Sequence, residues 1–236
     1  MREVSSQASK KFHPVIFDGW SKTYQMWSRS GGICRLCRAL CADELCPGCL
    51  RDLPRPSQQK SMLANCEVRA AYRYAGVIPG LVALGKYGGH LGVCRLLGQL
   101  MLREFSAGSP TEGALIVPVP MPWPRLLWRG YNHAAVMASV LGAGWRLPVH
   151  SAALVRRGWQ PTQKGRRRQA RLQNLRGGFR VASPIENREV WLVDDVCTTG
   201  ATLIAASQAL LDGGARRVLA WVLARREWSR TPPGMG

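Results

Sequence analysis

Apolar positions along this chain come in short clusters separated by glycine, proline and charge, and their spacing predicts alternating strands and helices. Residues 68–74 (VRAAYRY) form a β-prone run. Helical periodicity follows, is broken at Gly88 and Gly89, and resumes over residues 91–105. Further apolar runs at residues 115–119, 152–155, 190–193 and 218–223 are each separated by helix-like or loop segments. Strands alternating with helices predict an α/β domain over residues 66–228, with a mostly parallel central sheet flanked by helices.

Upstream of this domain the pattern changes. Residues 1–32 are polar and mixed, a tail in which a short helix would align Trp20, Tyr24 and Trp27 on one stripe, an arrangement that suits packing better than binding. Residues 33–56 hold a compact cysteine cluster and end in Leu53-Pro54-Arg55-Pro56, which reads as a linker because proline twice interrupts any regular element.

Cys34-x2-Cys37 and Cys46-x2-Cys49 are two knuckles separated by eight residues, a spacing that lets four thiolates converge on one zinc ion. Pro47 and Gly48 inside the second knuckle suit its tight turn. A closed four-sulfur shell leaves no position for substrate, so the expected zinc is structural. Cys41 is a fifth candidate that could exchange with a primary ligand. Cys66, Cys94 and Cys197 are isolated and are expected as buried or loop thiols. Eight cysteines in such a chain fit metal ligation and buried thiols in a reducing compartment better than a disulfide framework.

The formal net charge of +19 is far from ordinary and attracts polyanions: nucleic acid, anionic lipid or polyphosphate metabolites. Charge alone does not choose among them, since an arginine-rich composition also arises from biased base content. No stretch approaches the roughly eighteen apolar residues needed to cross a bilayer, and the N-terminus lacks the apolar core of a secretory signal. A soluble, cytoplasmic protein is the expectation.

The richest chemistry lies in residues 191–202 (WLVDDVCTTGAT), where an apolar strand runs into Asp194 and Asp195, then a small polar turn, then a helix starting near Ala201. A helix start offers unpaired backbone N–H groups to a phosphate monoester, and Thr198, Thr199 and Thr202 add hydroxyl donors. Gly200 removes the Cβ that would keep a ligand from the backbone. Two carboxylates at a strand's C-terminal end can hold sugar hydroxyls directly or through hydrated magnesium. A plain strand end and helix cap would explain one of these residues, not all of them together.

This segment resembles the ribose-phosphate signature of type I phosphoribosyltransferases. Other segments narrow the resemblance to the ComF family, also called the GntX or amidophosphoribosyltransferase-like family: Lys86-Tyr87-Gly88-Gly89-His90, Val117-Pro118-Val119-Pro120, Arg129-Gly130-Tyr131-Asn132-His133, the stretch 157–174 with Thr162 and Gln163, and Leu223-Ala224-Arg225. It covers nearly all of residues 34–225 and leaves the N-terminal tail without assignment. The resemblance implies a type I phosphoribosyltransferase fold with an N-terminal zinc module, and a phosphoribosyl pyrophosphate site at the C-terminal edge of the sheet. Asp194 and Asp195 would hold the ribose hydroxyls, Thr198, Thr199, Gly200, Ala201 and Thr202 the 5-phosphate, and Arg129, Asn132 and Lys86 the pyrophosphate end, with magnesium. His133 as a general base carries little weight, because a helix-start histidine serves equally as a cap or surface group.

Residues 156–180 are rich in arginine and poor in large aliphatic side chains, the composition of a long mobile loop. Such a loop closes over substrate in phosphoribosyltransferases. Here Arg157, Lys164, Arg166, Arg167, Arg168 and Arg171 could clamp pyrophosphate or follow a single-stranded DNA backbone, with Trp159 available for stacking; a solvated charged loop is the plain alternative. Three functions stay open: an intracellular DNA-uptake factor that binds phosphoribosyl pyrophosphate and single-stranded DNA, as the family resemblance implies; an active phosphoribosyltransferase of nucleotide salvage or synthesis; and an adaptor whose zinc module docks to a DNA-uptake helicase.

Overall fold

The computed structural model describes residues 32–87, 89–105, 113–156 and 178–226. The chain divides after Cys46 into a small N-terminal unit and a larger one that begins at Pro47. In the first, β1 (Gly32–Ile33) pairs antiparallel with β2 (Leu40–Cys41), and Arg35 closes the turn by an ion pair to Glu44 at 3.1 Å.

The larger unit opens with α1 (Pro47–Arg51), β3 (Lys60–Leu63) and β4 (Cys66–Arg73). Between them Leu53 is buried, Pro54 accepts a hydrogen bond from the Arg73 amide at 2.7 Å, and Arg55 pairs with Glu104 at 2.8 Å. Helices α2 (Ile78–Tyr87) and α3 (Leu91–Glu104) follow, then β5 (Leu115–Pro118), α4 (Trp123–Arg129) and α5 (His133–Trp145). A hairpin, β6 (Leu154–Arg156) with β7 (Phe179–Val181), precedes β8 (Glu189–Cys197), α6 (Ala201–Asp212) and β9 (Arg217–Arg225).

The main sheet has the order β3-β4-β9-β8-β5. Its β4, β9, β8 and β5 run parallel, and β3 adds an antiparallel edge through the β3–β4 hairpin. The central strands β8 and β9 are apolar almost throughout, as strands covered on both faces must be. On one face Val190 and Leu192 pack against Leu203, Ala206 and Leu210 of α6 and against Phe179 of the hairpin. On the other, Trp191 stacks on Trp221 with centroids 4.5 Å apart; Trp145 of α5 and Phe105 at the end of α3 meet them edge-on. Such pairs add ~1 kcal/mol each beyond area burial.

Two details depart from the sequence pattern. The apolar run 152–155 does not join the parallel sheet; its end forms β6, which pairs only with β7. The stretch after Pro118, outside both runs of helical periodicity, contains the short helix α4, started by Pro122 and Pro124 and ended by Gly130 in the left-handed conformation (φ 78°).

Candidate functional site

Strand β8 carries the acidic pair to the C-terminal edge of the sheet. Its alternation brings the odd-numbered Trp191 and Asp195 to the side of α5, while Val190, Leu192 and Asp194 follow the opposite parity. Asp195 is almost fully buried and Asp194 is half-buried. Each carboxylate accepts a nearby backbone amide, Asp194 Oδ1 from the Asp195 N–H at 2.9 Å and Asp195 Oδ1 from the Val196 N–H at 2.7 Å, which fixes both side chains at the turn.

Three segments distant in sequence meet at Asp195. Lys86, in the last turn of α2, places Nζ 2.5 Å from Asp195 Oδ2, and His133, the first residue of α5, places Nε2 3.2 Å from the same oxygen. Arg129 Nη1 lies 3.1 Å from His133 Nδ1. A guanidinium has no acceptor, so Nδ1 accepts and the imidazole proton sits on Nε2, facing Asp195. Both ring nitrogens are thereby engaged, and His133 orients Asp195 rather than standing free as a base.

Burial by itself would raise the Asp195 carboxyl, but the hydrogen bond from His133 and the Lys86 ammonium outweigh it and hold the group well below the usual carboxylate range. Asp194 moves the other way: burial first, then the neighbouring Asp195 charge, push its carboxyl far above that range. The pair therefore holds one firmly ionised carboxylate beside one that resists ionisation.

Asn132 caps α5 by accepting the Ala134 amide at 3.1 Å, and its Nδ2 donates to the Val119 carbonyl at 2.9 Å. That second bond ties the cap to the end of β5. Tyr131 donates to the Gly85 carbonyl at 2.7 Å and so fastens the same turn to α2, next to Lys86. Arg129 Nε is a buried donor with no acceptor among the described residues, which suits it to an anionic oxygen.

Beyond β8, Thr198 and Thr199 are exposed, Thr202 is half-buried, and Thr199 Oγ1 lies 3.4 Å from the Ala201 amide. Gly200 starts α6 at φ 75°. That left-handed conformation is what demands glycine, and a Cβ there would in addition displace the tip of the Leu63 side chain, 2.5 Å away at Cδ1. The turn thus sets the start of α6 between Thr199 and Thr202.

Two contributors carry no local mark of their role in the sequence: Leu63 lies against Gly200 from the short edge strand β3, and Tyr131 ties its turn to α2. Arg156, at the end of β6, feels the charge of Asp194 while its guanidinium lies 5.2 Å over the Phe179 ring. Arg157, Lys164, Arg166, Arg167, Arg168, Arg171 and Trp159 all lie outside the described residues, as do Trp20, Tyr24 and Trp27 of the tail; the β6–β7 hairpin brackets the basic segment.

The Sγ atoms of Cys34, Cys37, Cys46 and Cys49 all lie within 4.8 Å of one another, with Cys37 and Cys46 at 3.5 Å, spacings that fit the edges of a tetrahedron around zinc. Burial would raise the Cys34 thiol, yet backbone amides of Cys37, Cys46 and Leu36 and the Cys37 side chain bring it down to about 6, the thiolate form that a metal ligand needs. Cys41 stands outside this group and donates to the Asp43 carbonyl at 3.0 Å. Cys66, Cys94 and Cys197 are buried thiols. Among the described residues, His133, Asp194 and Asp195 form the other grouping able to hold a cation.

Over 212 residues the chain is 30% identical to the DNA utilization protein YhgH of Escherichia coli (strain K12), an alignment covering 82% of this chain and 90% of that protein. It belongs to the YhgH/ComF family. The Competence protein F of Haemophilus influenzae is 36% identical over 113 residues, 47% of this chain and 49% of that one. Among solved structures, a hypoxanthine phosphoribosyltransferase from Staphylococcus aureus is similar with a TM-score of 0.36 at 13% identity, over 61% of this chain and 71% of that one. No family model matches the chain. The mixed sheet flanked by helices, with the acidic pair ending β8 and a glycine-led helix after it, is the type I phosphoribosyltransferase arrangement that the ComF resemblance implies. No helix among the described residues is long and apolar enough to cross a membrane.

Proposed function

We propose that this YhgH/ComF-family chain binds phosphoribosyl pyrophosphate with magnesium at the C-terminal edge of its sheet, and that this binding serves the handling of single-stranded DNA during uptake. The observation that carries the reading is the convergence of Lys86 and His133 on Asp195, with Arg129 behind His133, at the end of the strand that leads into α6. Asp194 and Asp195 take the ribose hydroxyls, the 198–202 turn takes the 5-phosphate, and Arg129, whose Nε lacks an acceptor, takes pyrophosphate oxygen. Magnesium fits because a cation between the carboxylates would offset the burial and the Asp195 charge that push the Asp194 carboxyl up. When bound it neutralises phosphate charge; holding the sugar is left to the chain's own groups.

Binding is favoured over turnover. Transfer of the sugar to an acceptor needs a group to take the acceptor's proton, and here Lys86 is committed to Asp195 while both nitrogens of His133 are occupied. The DNA part of the reading follows the names of the relatives, which concern DNA utilization and competence, and the charge of +19. The four-cysteine cluster is a structural zinc site, with a docking surface for an uptake helicase as a secondary use. Metal analysis of purified protein is expected to return about one zinc per chain, and a Cys34→Ser variant should lose it. The sugar-phosphate reading is tested by calorimetric titration with phosphoribosyl pyrophosphate and magnesium. Pyrophosphate release with a nucleobase acceptor would replace the binding reading with the transferase one.

A further inference from the structure

Helix α4 buries none of its residues, yet its sequence is WPRLLWR. Trp123, Leu127 and Trp128 are 66%, 65% and 69% exposed, and Tyr87 at the end of α2 is 68% exposed. Four large apolar side chains at one place, each about two-thirds in water, are not explained by the packing of the chain itself. The Tyr87 and Trp128 rings sit 6.3 Å apart at 57°, tilted rather than stacked on each other. Arg129 lies 5.3 Å over the Tyr87 ring and is the same residue that touches His133, so the patch is continuous with the sugar-phosphate site.

The charge around these rings is positive. Arg125, exposed on α4, forms no ion pair among the described residues, and it acts on Arg156 as a repelling neighbour. Rings interleaved with cations that lack counter-charges fit a ligand that supplies flat apolar faces and anionic links in alternation. A duplex hides its base faces inside the stack; a single strand presents them.

We propose that α4 and the end of α2 form a stacking platform for single-stranded nucleic acid, with Trp123, Trp128 and Tyr87 receiving bases and Arg125 receiving backbone phosphate. This rests on the nucleic-acid half of the proposed function and is independent of the sugar-phosphate half. It also differs from the basic segment 157–171 in kind: the platform contributes stacking, which salt screens little, whereas a run of arginines contributes charge, which salt screens strongly.

The test uses the full chain, a labelled oligothymidylate and an abasic strand of equal length, with affinity read by fluorescence anisotropy over a range of salt. Trp123→Ala/Trp128→Ala is expected to weaken oligothymidylate binding by at least roughly 30-fold, at ~1–3 kcal/mol for each of two stacked bases, with an unchanged salt slope. Trp128→Phe in place of Trp128→Ala should restore most of the loss, and Arg125→Gln should lower the slope by about 0.7. Because these side chains are exposed, the melting temperature should stay constant. Abasic strand should bind wild type weakly and lose nothing further in the double variant. Equal oligothymidylate affinity of wild type and double variant, or an equal loss on the abasic strand, overturns the proposal. So does a double variant whose only change is in sedimentation, which would make the patch a protein-docking surface. Phosphoribosyl pyrophosphate titrations of the same variants should match wild type; a wild type that binds the strand but not the sugar phosphate leaves the platform standing and removes the other reading.

Discussion

Strand β8 is acidic at both ends, and its two ends are built differently. At the N-terminal end, Glu189 accepts the Trp191 indole N–H at 2.7 Å and faces Arg217 at 4.0 Å. Arg217 also reaches Glu67 at 3.5 Å, and Arg69 closes on Glu67 at 2.6 Å while lying 4.8 Å over Trp221. Two carboxylates are matched there by two guanidiniums. At the C-terminal end two carboxylates are adjacent in sequence, burial and the Asp195 charge push the Asp194 carboxyl up, and the buried Arg129 Nε has no acceptor among the described residues. A balanced network stiffens a sheet edge; an unbalanced one is suited to a ligand, and it lies at the edge where open α/β sheets bind theirs.

The largest way to break this contrast is Asp195→Ala. Removing it leaves Lys86 and His133 without their shared partner, and a loss of about 3 kcal/mol in stability is expected from denaturant unfolding, with loss of sugar-phosphate binding. Glu189→Gln at the opposite end should cost about 1 kcal/mol, since the amide oxygen still accepts from Trp191, and should leave ligand affinity unchanged. A drop in ligand affinity would show that the two ends are coupled.

Asp194→Asn is the one substitution here expected to cost no stability, and it sharpens the contrast most. Because burial and Asp195 already favour the neutral carboxyl, an amide that cannot ionise should raise stability near neutral pH, while binding is lost. The pH profile separates the pair. Asp194 has a raised carboxyl, so its contribution is full below the ordinary carboxylate range and declines as pH rises through the raised value. Asp195 has a lowered one, so its contribution is present above that range and is lost as pH falls. Asp194→Asn should flatten the decline on the high-pH side and leave the acid side intact, as read from melting temperature against pH.

How much of this was legible in the sequence depended on whether the parts were contiguous. The run from Trp191 to Thr202 carries strand, carboxylates, glycine and helix start in a single stretch, and the two cysteine knuckles declare themselves by spacing. Pairings between distant segments leave no such trace. Nothing local says that Lys86 will meet Asp195, or that Tyr131 will hold the Gly85 carbonyl. The edge strand Lys60–Leu63 is short and half-polar, with no periodicity strong enough to mark it, yet Leu63 packs against Gly200 at the start of α6. The run 152–155 was visible as apolar, but an apolar run does not state which sheet it will join.

Calorimetric titration of the full chain with phosphoribosyl pyrophosphate, with and without magnesium, decides whether the C-terminal end of β8 is a sugar-phosphate site. Saturable binding that strengthens with magnesium and disappears in Asp194→Asn/Asp195→Asn is expected, with the variant still folded by circular dichroism. Binding of equal strength in wild type and folded double variant would contradict that assignment.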